Sequence, residues 1–131
     1  MQKLVENEYA TLKVYQEKKI VHHEFHKFMF GDNFKNFMLK AADVFVQNHC
    51  HKWLSDDRGN SALRQEDLEW AQQNWEPKIF KAGWKFWAIV LPEKIVGKMS
   101  MKGIIDRYKQ MGVTVNIFSD PNLALAWLEK Q

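Results

Sequence analysis

The segment Lys85-Phe86-Trp87-Ala88-Ile89-Val90-Leu91 decides the fold of this chain, because it is apolar at nearly every position. Side chains of a β-strand alternate between two faces, so an unbroken apolar run places apolar groups on both sides. Both faces of such a strand must be covered, which is the situation of a central strand in a parallel sheet. We therefore predict that residues 85–91 form the middle of a sheet with helices packed against it.

Two further strands are predicted on the N-terminal side of this segment. Residues Glu8–Tyr15 and Lys19–Phe28 each alternate in a way that is typical of a half-buried strand. Only the polar residues Gln16–Lys18 separate them, which predicts an antiparallel hairpin. Within the second strand, we expect the face that carries His22 and His26 to be solvated.

A helix is predicted after the hairpin. Apolar residues recur at spacings of three or four from Asn33 to His49, which is the period of an amphipathic helix. The residues predicted to face inward are Phe34, Phe37, Met38, Ala41 and Phe45. Asp32 directly precedes this helix and carries an oxygen that can accept hydrogen bonds from free backbone amides. We therefore expect Asp32 to be the N-cap.

A second helix is predicted from about Gln65 to Gly83. Pro77 lacks an amide hydrogen, so we expect the helix to be kinked or restarted near that position. The residues expected to point inward are Leu68, Ala71 and Trp75, which recur at helical spacing. Trp70 lies one position away from this inward stripe.

The remaining segments alternate between strand and helix. A short strand, His51–Ser55, lies between the two helices, and a helix with apolar residues from Met101 to Met111 precedes the strand Val113–Phe118. Asp120-Pro121 begins a final helix. The pattern predicts one α/β domain over residues 1–131, in which an N-terminal β-hairpin is followed by α-β-α-β-α-β-α. We expect a mixed sheet of about five strands with helices packed on it.

Charge and hydropathy exclude several classes of protein. The 19 basic and 16 acidic residues are interspersed, so no basic stripe marks a nucleic-acid surface. The longest strongly apolar run, Phe86–Leu91, is far shorter than the roughly 20 residues that cross a bilayer, so no membrane span is predicted. Cys50 is the only cysteine, and the first 30 residues carry charges among their apolar positions. We therefore expect a cytoplasmic location.

No cofactor or metal site is predicted from the motifs. His49, Cys50 and His51 are metal-ligating residue types, but adjacent side chains diverge and no further ligand has a recognisable spacing. The Gly-rich loops that cradle phosphate groups are absent. Cys50 has neither a paired cysteine nor an evident base to activate it. The sequence therefore predicts a protein that is not an enzyme.

Aromatic side chains are unusually frequent, with nine Phe, six Trp and three Tyr. Because aromatic side chains bury large apolar areas, most of them must lie in a core or at an interface. The predicted strand and helix faces leave Trp70 and Trp84 unexplained. Since aromatic residues are enriched at protein interfaces, we predict that Trp70 lies on a partner surface. A homodimer is the simplest such assembly.

Polar side chains follow two of the predicted strands. In open α/β sheets, ligands bind beyond the carboxyl ends of the strands. The loops Ser55–Arg64 and Pro92–Ser100 lie there, and we predict that they form a small polar pocket with a cationic rim that accepts an anion at a helix N-terminus. The alternative is that these residues simply form turns. The candidate binding residues for a ligand or partner are Ser55, Asp56, Asp57, Arg58, Asn60, Ser61, Trp70 and Lys98.

Several stretches carry a family resemblance that spans nearly the whole chain. They are Lys52-Trp53-Leu54-Ser55-Asp56-Asp57-Arg58, Asp67-Leu68-Glu69-Trp70, Lys81-Ala82-Gly83-Trp84, Ala88-Ile89-Val90-Leu91-Pro92 and Ala124-Leu125-Ala126-Trp127-Leu128. These strings resemble the STAS-like group, specifically the SpoIIAA-like proteins related to anti-sigma-factor antagonists. The resemblance implies a four- or five-stranded mixed sheet with helices, and a regulatory or ligand-binding role rather than catalysis.

The resemblance has one departure and one extension. Anti-sigma antagonists carry an Asp-Ser-Ser/Thr-Gly stretch whose Ser is phosphorylated, whereas the corresponding residues here, Arg64-Gln65-Glu66-Asp67, include no hydroxyl. Some relatives of this group are likened to CRAL-TRIO lipid-exchange domains. That likeness implies an apolar ligand.

Two functions are therefore predicted. The first is a non-catalytic regulatory or protein-interaction module, with a protein partner or a second copy of the chain bound around Ser55–Ser61 and the helix from Gln65. The alternative is a small-molecule or lipid carrier with a cavity between sheet and helices. The residues predicted to line that cavity are Phe34, Phe37, Met38, Met101 and Met111. Ordinary core packing also explains such a stripe of Phe and Met residues.

Overall fold

The computed structural model describes all 131 residues and contains six strands and six α-helices. The strands are Gln2–Glu6 (β1), Ala10–Tyr15 (β2), Ile20–Phe25 (β3), Lys52–Asp56 (β4), Phe86–Val90 (β5) and Thr114–Phe118 (β6). The helices are Gly31–Gln47 (α1), Gln65–Trp70 (α2), Glu76–Lys81 (α3), Glu93–Val96 (α4), Lys102–Gln110 (α5) and Pro121–Glu129 (α6). None of the helices combines the length and the apolarity needed to cross a lipid bilayer.

The strands form one mixed sheet in the order β1-β2-β3-β4-β5-β6. The pairs β1–β2 and β2–β3 are antiparallel, and β3 to β6 run parallel to one another. This topology confirms the predicted hairpin and the mixed α/β class. β5 is an interior parallel strand between β4 and β6, but it lies next to the edge strand and not in the middle of the sheet. The sheet also contains a strand that was not predicted, β1, because Gln2–Glu6 is a largely exposed edge strand without clean alternation.

Helices cover the two faces of the sheet unequally. On one face, which we call the three-helix face, α1, the α2–α3 segment and α5 pack against sheet residues such as Val21, Trp53 and Ile89. On the opposite face, which we call the α6 face, α6 packs against β4, β5 and β6. The buried residues of the α6 face are Ile20, Leu54, Ala88, Val90, Ala124 and Leu128.

Helix α1 begins two residues earlier than predicted, and Asp32 is not its N-cap. The cap residue is Phe30, whose side chain makes no capping hydrogen bond, and Asp32 lies inside the first turn. The carboxylate of Asp67, on α2, accepts the Gly31 amide at 3.2 and 3.3 Å instead. The first backbone amide of α1 is therefore hydrogen-bonded to a buried carboxylate from another helix. No sequence pattern within the α1 segment indicates this contact.

The predicted disturbance near Pro77 is a π-helical turn. The turn spans Ala71–Trp75 and joins α2 to α3 without a break in the helix. Pro77 lies in the first turn of α3, directly after the π-helical turn. Leu68, which was predicted to be buried, is 39% exposed.

Most of the aromatic excess forms one cluster on the three-helix face. Trp75 contacts Trp53, Trp84 and Trp87, with ring centroids 5.0, 5.6 and 5.9 Å apart. Tyr108 packs edge-on against Trp84 and Trp87 at 6.0 and 5.1 Å. Trp84, which the sequence left unexplained, is almost fully buried in this cluster and belongs to the core.

Candidate functional site

A cavity of about 510 Å³ lies on the three-helix face, between the sheet and α1, the α2–α3 segment and α5. Of the 21 residues that line it, 14 are hydrophobic. Its volume falls within the range of roughly 300 to 1,000 Å³ that is typical of small-molecule sites. The cavity is therefore large enough for a ligand and differs in character from the predicted polar pocket.

The walls of the cavity come from each of these elements. The sheet contributes Trp87 and Ile89, and α1 contributes Phe34. Two residues that line the cavity, Leu68 on α2 and Arg107 on α5, are exposed. The cavity therefore opens to the surface between these two helices. A molecule that enters the cavity thus meets an apolar interior behind a mixed apolar and cationic mouth.

The π-helical turn supplies part of the cavity wall. Ala71, Gln72 and Trp75 belong to the turn, Glu76 follows it directly, and all four residues line the cavity. A π-helical turn inserts one extra residue into a helix and changes the direction of the side chains that follow. Such turns occur frequently at functional sites.

Strand alternation divides the predicted residues Ser55–Arg58 between the two faces. Ser55 and Asp57 line the cavity. Asp56 does not, and its buried carboxylate accepts hydrogen bonds from Nε and Nη2 of Arg58 at 2.9 and 2.8 Å. Because successive strand residues point to opposite faces, Ser55 and Asp57 face the cavity, whereas Asp56 pairs with Arg58 on the other side of the sheet.

The loop after β4 is held tightly against the end of β3. Gly59 packs so closely on this strand that an added Cβ atom would collide with the backbone of Phe25 and His26. Asn60 is buried beneath this loop and donates a hydrogen bond from Nδ2 to the Met29 carbonyl oxygen at 3.4 Å. Ser61 is exposed. Asn60 and Ser61 therefore lie close to the cavity in sequence but do not line it.

Two other predicted binding residues also lie outside the cavity. Trp70 is half-buried and packs edge-on against Phe34, with the ring centroids 6.2 Å apart. Lys98 is exposed and follows α4. From the second predicted loop, Met99 is the residue that reaches the cavity, so that loop contributes an apolar side chain rather than a cation.

His23 is the main polar residue of the site that sequence reasoning did not select. Its ring is almost fully buried and lines the cavity. Trp53 Nε1 donates to His23 Nδ1 at 2.9 Å, and His23 Nε2 lies 2.8 Å from Asp57 Oδ1. Since an indole nitrogen can only donate, the imidazole proton is on Nε2 and is directed at Asp57. The signal that could have found His23 is its place between Val21 and Phe25 on the inward face of β3.

Ser55, His23 and Asp57 are neighbours on the cavity wall, but they are not arranged for nucleophilic catalysis. His23 pairs with Ser55 in the register of β3 and β4, so both side chains point to the three-helix face. Trp87 Nε1 donates to Ser55 Oγ at 2.9 Å, and both nitrogens of His23 are already engaged. A base for Ser55 needs a free ring nitrogen directed at the hydroxyl group. The arrangement instead positions Asp57 rigidly in the cavity.

A second polar pair, Glu76 and Tyr108, also lines the cavity. Tyr108 donates a hydrogen bond from its hydroxyl to Glu76 Oε2 at 2.7 Å, and both residues are buried. Burial raises the pKa of the Glu76 carboxyl group, and the hydrogen bond from Tyr108 and the charge of Arg107 oppose this effect. Burial, together with the hydrogen bond to Glu76, also raises the pKa of Tyr108. These shifts reflect the low polarity of the cavity wall.

The predicted cavity lining is correct for two of its five residues, both on α1. Phe34 and Met38 line the cavity, whereas Phe37 is buried in the core beside it. Met101 precedes α5 and does not line the cavity. Met111 follows the end of α5 and is exposed, because the helix ends at Gln110.

His22 lies outside the cavity and is not solvated, in contrast to the prediction. The side chain is 6% exposed, and neither ring nitrogen has a hydrogen-bond partner. Its ring stacks on Tyr15 with the centroids 6.3 Å apart. Burial, with a contribution from the charge of Lys13, lowers the pKa of His22 to about 4. This residue therefore behaves as a neutral core side chain.

The cavity is thus built from side chains on four strands and four helices, and two hydrogen-bonded polar pairs lie in its mainly hydrophobic wall. Comparison of the chain with protein-family models, with curated proteins and with solved structures yields no match.

Proposed function

We propose that this protein binds a small, largely apolar molecule in the cavity of the three-helix face and acts as a carrier or sensor of that molecule. The observation that supports this function is the cavity itself, with its volume of about 510 Å³ and its mainly hydrophobic lining. The proposal corresponds to the carrier function that the sequence also predicts.

The physical reason is that such a space is unfavourable for water. Protein interiors are close-packed, and few voids in them exceed the size of a water molecule. Water in this cavity finds few hydrogen-bond partners, because most of the wall is apolar and the polar pairs partly satisfy each other. An apolar ligand that displaces this water gains the free energy of burying its own surface.

A fluorescence titration with the neutral apolar dye Nile red tests this function. The variant Gly103→Trp places a large side chain on α5 at the cavity wall, where an added Cβ meets no neighbouring atom within 4 Å. We expect the variant to bind the dye at least about 10-fold more weakly than the original protein. The control is Lys109→Trp, which adds the same side chain at an exposed position of α5 outside the cavity.

The control separates cavity binding from dye binding to the surface. Equal dye affinities in the original protein and in both variants contradict the proposal. Native mass spectrometry of gently purified protein adds a direct measurement, since a bound metabolite or lipid increases the mass by a defined amount. Loss of this added mass in Gly103→Trp, but not in Lys109→Trp, assigns the ligand to the cavity.

A second candidate function, protein binding, is favoured by an exposed aromatic pair. Phe28 and Phe30, between β3 and α1, are 46% and 51% exposed, and their rings stack with centroids 5.4 Å apart. The Arg64 guanidinium lies 4.8 Å from the centre of the Phe30 ring. Exposed aromatic and Arg side chains are enriched at protein interfaces. This surface supports the regulatory role that the STAS-like resemblance implies.

Analytical ultracentrifugation tests whether this surface binds a second copy of the chain. We expect the original protein to sediment as a dimer and the double variant Phe28→Ser, Phe30→Ser to sediment as a monomer. The control variant is Phe80→Ser, which removes an exposed Phe from α3. A monomer in all three samples at high concentration contradicts self-association through this surface.

A further inference from the structure

Two acidic side chains of the cavity wall each keep one carboxyl oxygen without a partner. Oδ1 of Asp57 is hydrogen-bonded to His23, and Oε2 of Glu76 accepts the hydroxyl of Tyr108. No protein group donates a hydrogen bond to the second carboxyl oxygen of either residue. Acceptors in an apolar space stay unsatisfied unless water or a ligand donates to them. Both oxygens are therefore positions where a donor group on a ligand gains binding energy.

The charge inside the cavity is negative. Its titratable lining residues are His23, Asp57, Glu76, Arg107 and Tyr108. His23 Nδ1 accepts a hydrogen bond from Trp53, and His23 Nε2 lies against Asp57. Arg107 is exposed at the mouth, with its guanidinium 5.5 Å from the centre of the Tyr108 ring. The interior thus presents two acidic groups, and the one cation of the lining lies outside them.

The aromatic wall favours the same kind of ligand. Trp75, Trp87 and Tyr108 line the cavity close to Glu76. Trp87 lies 5.1 Å from Tyr108 and 5.9 Å from Trp75, measured between ring centroids. The faces of aromatic rings attract cations, and the attraction increases when the cation is removed from water. Aromatic rings beside acidic groups form a suitable environment for a protonated amine.

We propose that the ligand is an apolar molecule with a protonated amine, and that Asp57 and Glu76 bind this amine. The inference rests on the proposed small-molecule function and specifies the chemical class of the ligand. The protonated nitrogen donates to the free carboxyl oxygens, and the apolar body occupies the space between α1 and the sheet. An anionic group at the same place is repelled by both acidic residues, because charge repulsion is strong where water is excluded.

A set of three probes with a common aromatic body tests the ligand class. The probes are 2-(1-naphthyl)ethylamine, 2-(1-naphthyl)ethanol and 1-naphthylacetic acid, titrated by calorimetry at pH 7. We expect the amine to bind about 10-fold or more tightly than the alcohol, and the acid to bind most weakly. The neutral alcohol reports on the apolar cavity alone, so it separates the ligand class from the binding function.

Charge-removing variants assign the effect to the two acidic residues. We expect the double variant Asp57→Asn, Glu76→Gln to bind the amine about 10-fold or more weakly and to keep the affinity for the alcohol within about 2-fold. The control is Glu69→Gln, which removes an exposed carboxyl from α2 outside the cavity. The single variants replace the double variant if thermal unfolding shows that it does not fold.

Each result either supports or overturns the inference. If the alcohol or the acid binds at least as tightly as the amine, the amine assignment is wrong, while the cavity function stands. If the amine binds best but the double variant retains this preference, Asp57 and Glu76 are not the binding groups. If neither the three probes nor Nile red binds, the proposed function itself is wrong.

Discussion

The two faces of the sheet differ in how completely their space is filled. All six residues of the α6-face core are fully buried, and a single helix covers them. The three-helix face has a larger core, yet it contains an open cavity of about 510 Å³. On the α6 face, one helix packs closely on three parallel strands. On the three-helix face, α1, the α2–α3 segment and α5 leave a space between them. The comparison shows that packing is complete on the α6 face, whereas the three-helix face leaves space that a ligand could occupy.

Acidic side chains show the same difference between the two faces. Asp56, behind the cavity wall, receives two hydrogen bonds from Arg58. Asp57 and Glu76, on the cavity side, each receive one hydrogen bond to one oxygen. A group that only stabilises the fold gains most from full pairing, whereas a binding group must keep an atom free. Four predictions test this division between the faces.

The largest effect is expected from removing a side chain on the filled face. Leu128→Ala opens a void in the fully buried α6 face and should lower the free energy of unfolding by about 4 kcal/mol. Leu91→Ala shortens a half-buried residue at the existing cavity and should cost only about 1 kcal/mol, because no new closed void forms. Urea denaturation measures both values. Equal losses contradict the difference in packing.

The next effect concerns His22, which is buried outside the cavity. Its folded pKa of about 4 lies below the ordinary value of 6.5, so the unfolded chain takes up a proton first as the pH falls. Stability that is present above pH 6.5 is therefore lost between pH 6.5 and 4, by about 3 kcal/mol at most. His22→Phe keeps a ring to stack on Tyr15 and should remove this part of the pH dependence. Urea denaturation of both proteins at pH 7 and pH 4.5 measures the loss of unfolding free energy between these pH values. Equal losses in the two proteins contradict the prediction.

A smaller effect distinguishes the paired acid from the half-paired acid. Arg58→Met leaves the carboxylate of Asp56 buried without its partner and should cost about 2 kcal/mol, reduced by the solvent access of Arg58. Asp57→Asn retains an oxygen that accepts the hydrogen bond of His23, so its stability should change by less than about 0.5 kcal/mol. Thermal unfolding measures both variants. A larger loss from Asp57→Asn assigns Asp57 to the support of the fold instead.

The smallest effect is expected from Glu76. Its pKa is raised in the folded protein, so the folded state holds this proton more tightly than the unfolded chain. The resulting stability is present below the ordinary pKa of 4.5 and is lost as the pH rises through the raised value. Glu76→Gln keeps an acceptor for Tyr108 and should remove this decline. Measuring the unfolding free energy of both proteins from pH 4 to 8 isolates the contribution of Glu76. A difference between the two proteins that does not change with pH contradicts this prediction.

Much of the fold could be predicted because its signals are local. The apolar run that includes β5, the alternation of β2 and β3 and the helical spacing of α1 each lie within one segment. The structure confirms these elements and the hairpin. β1 was not predicted because it is a short, largely exposed strand of five residues without alternation. Only its pairing with β2 establishes it as a strand.

The site was less predictable because its members come from distant segments. Glu76 and Tyr108 are 32 residues apart, and His23 and Asp57 are 34 residues apart. Neither pair has a characteristic spacing, since the sheet and the helix packing bring its members together. The same holds for Asp67, which satisfies the first amide of α1 from a different helix.

The sequence by itself determined the order of strands β2 to β6 and of the main helices between them, and how the residues of these strands divide between the two faces. That information follows from a period of two residues in strands and of 3.6 in helices, both of which are properties of the local backbone. Only the tertiary structure decided that Ser55 and Asp57 line a cavity while Asp56 and Arg58 pair behind its wall. It also decided that the cavity exists, because an enclosed space depends on how several helices meet and not on the pattern of any one of them.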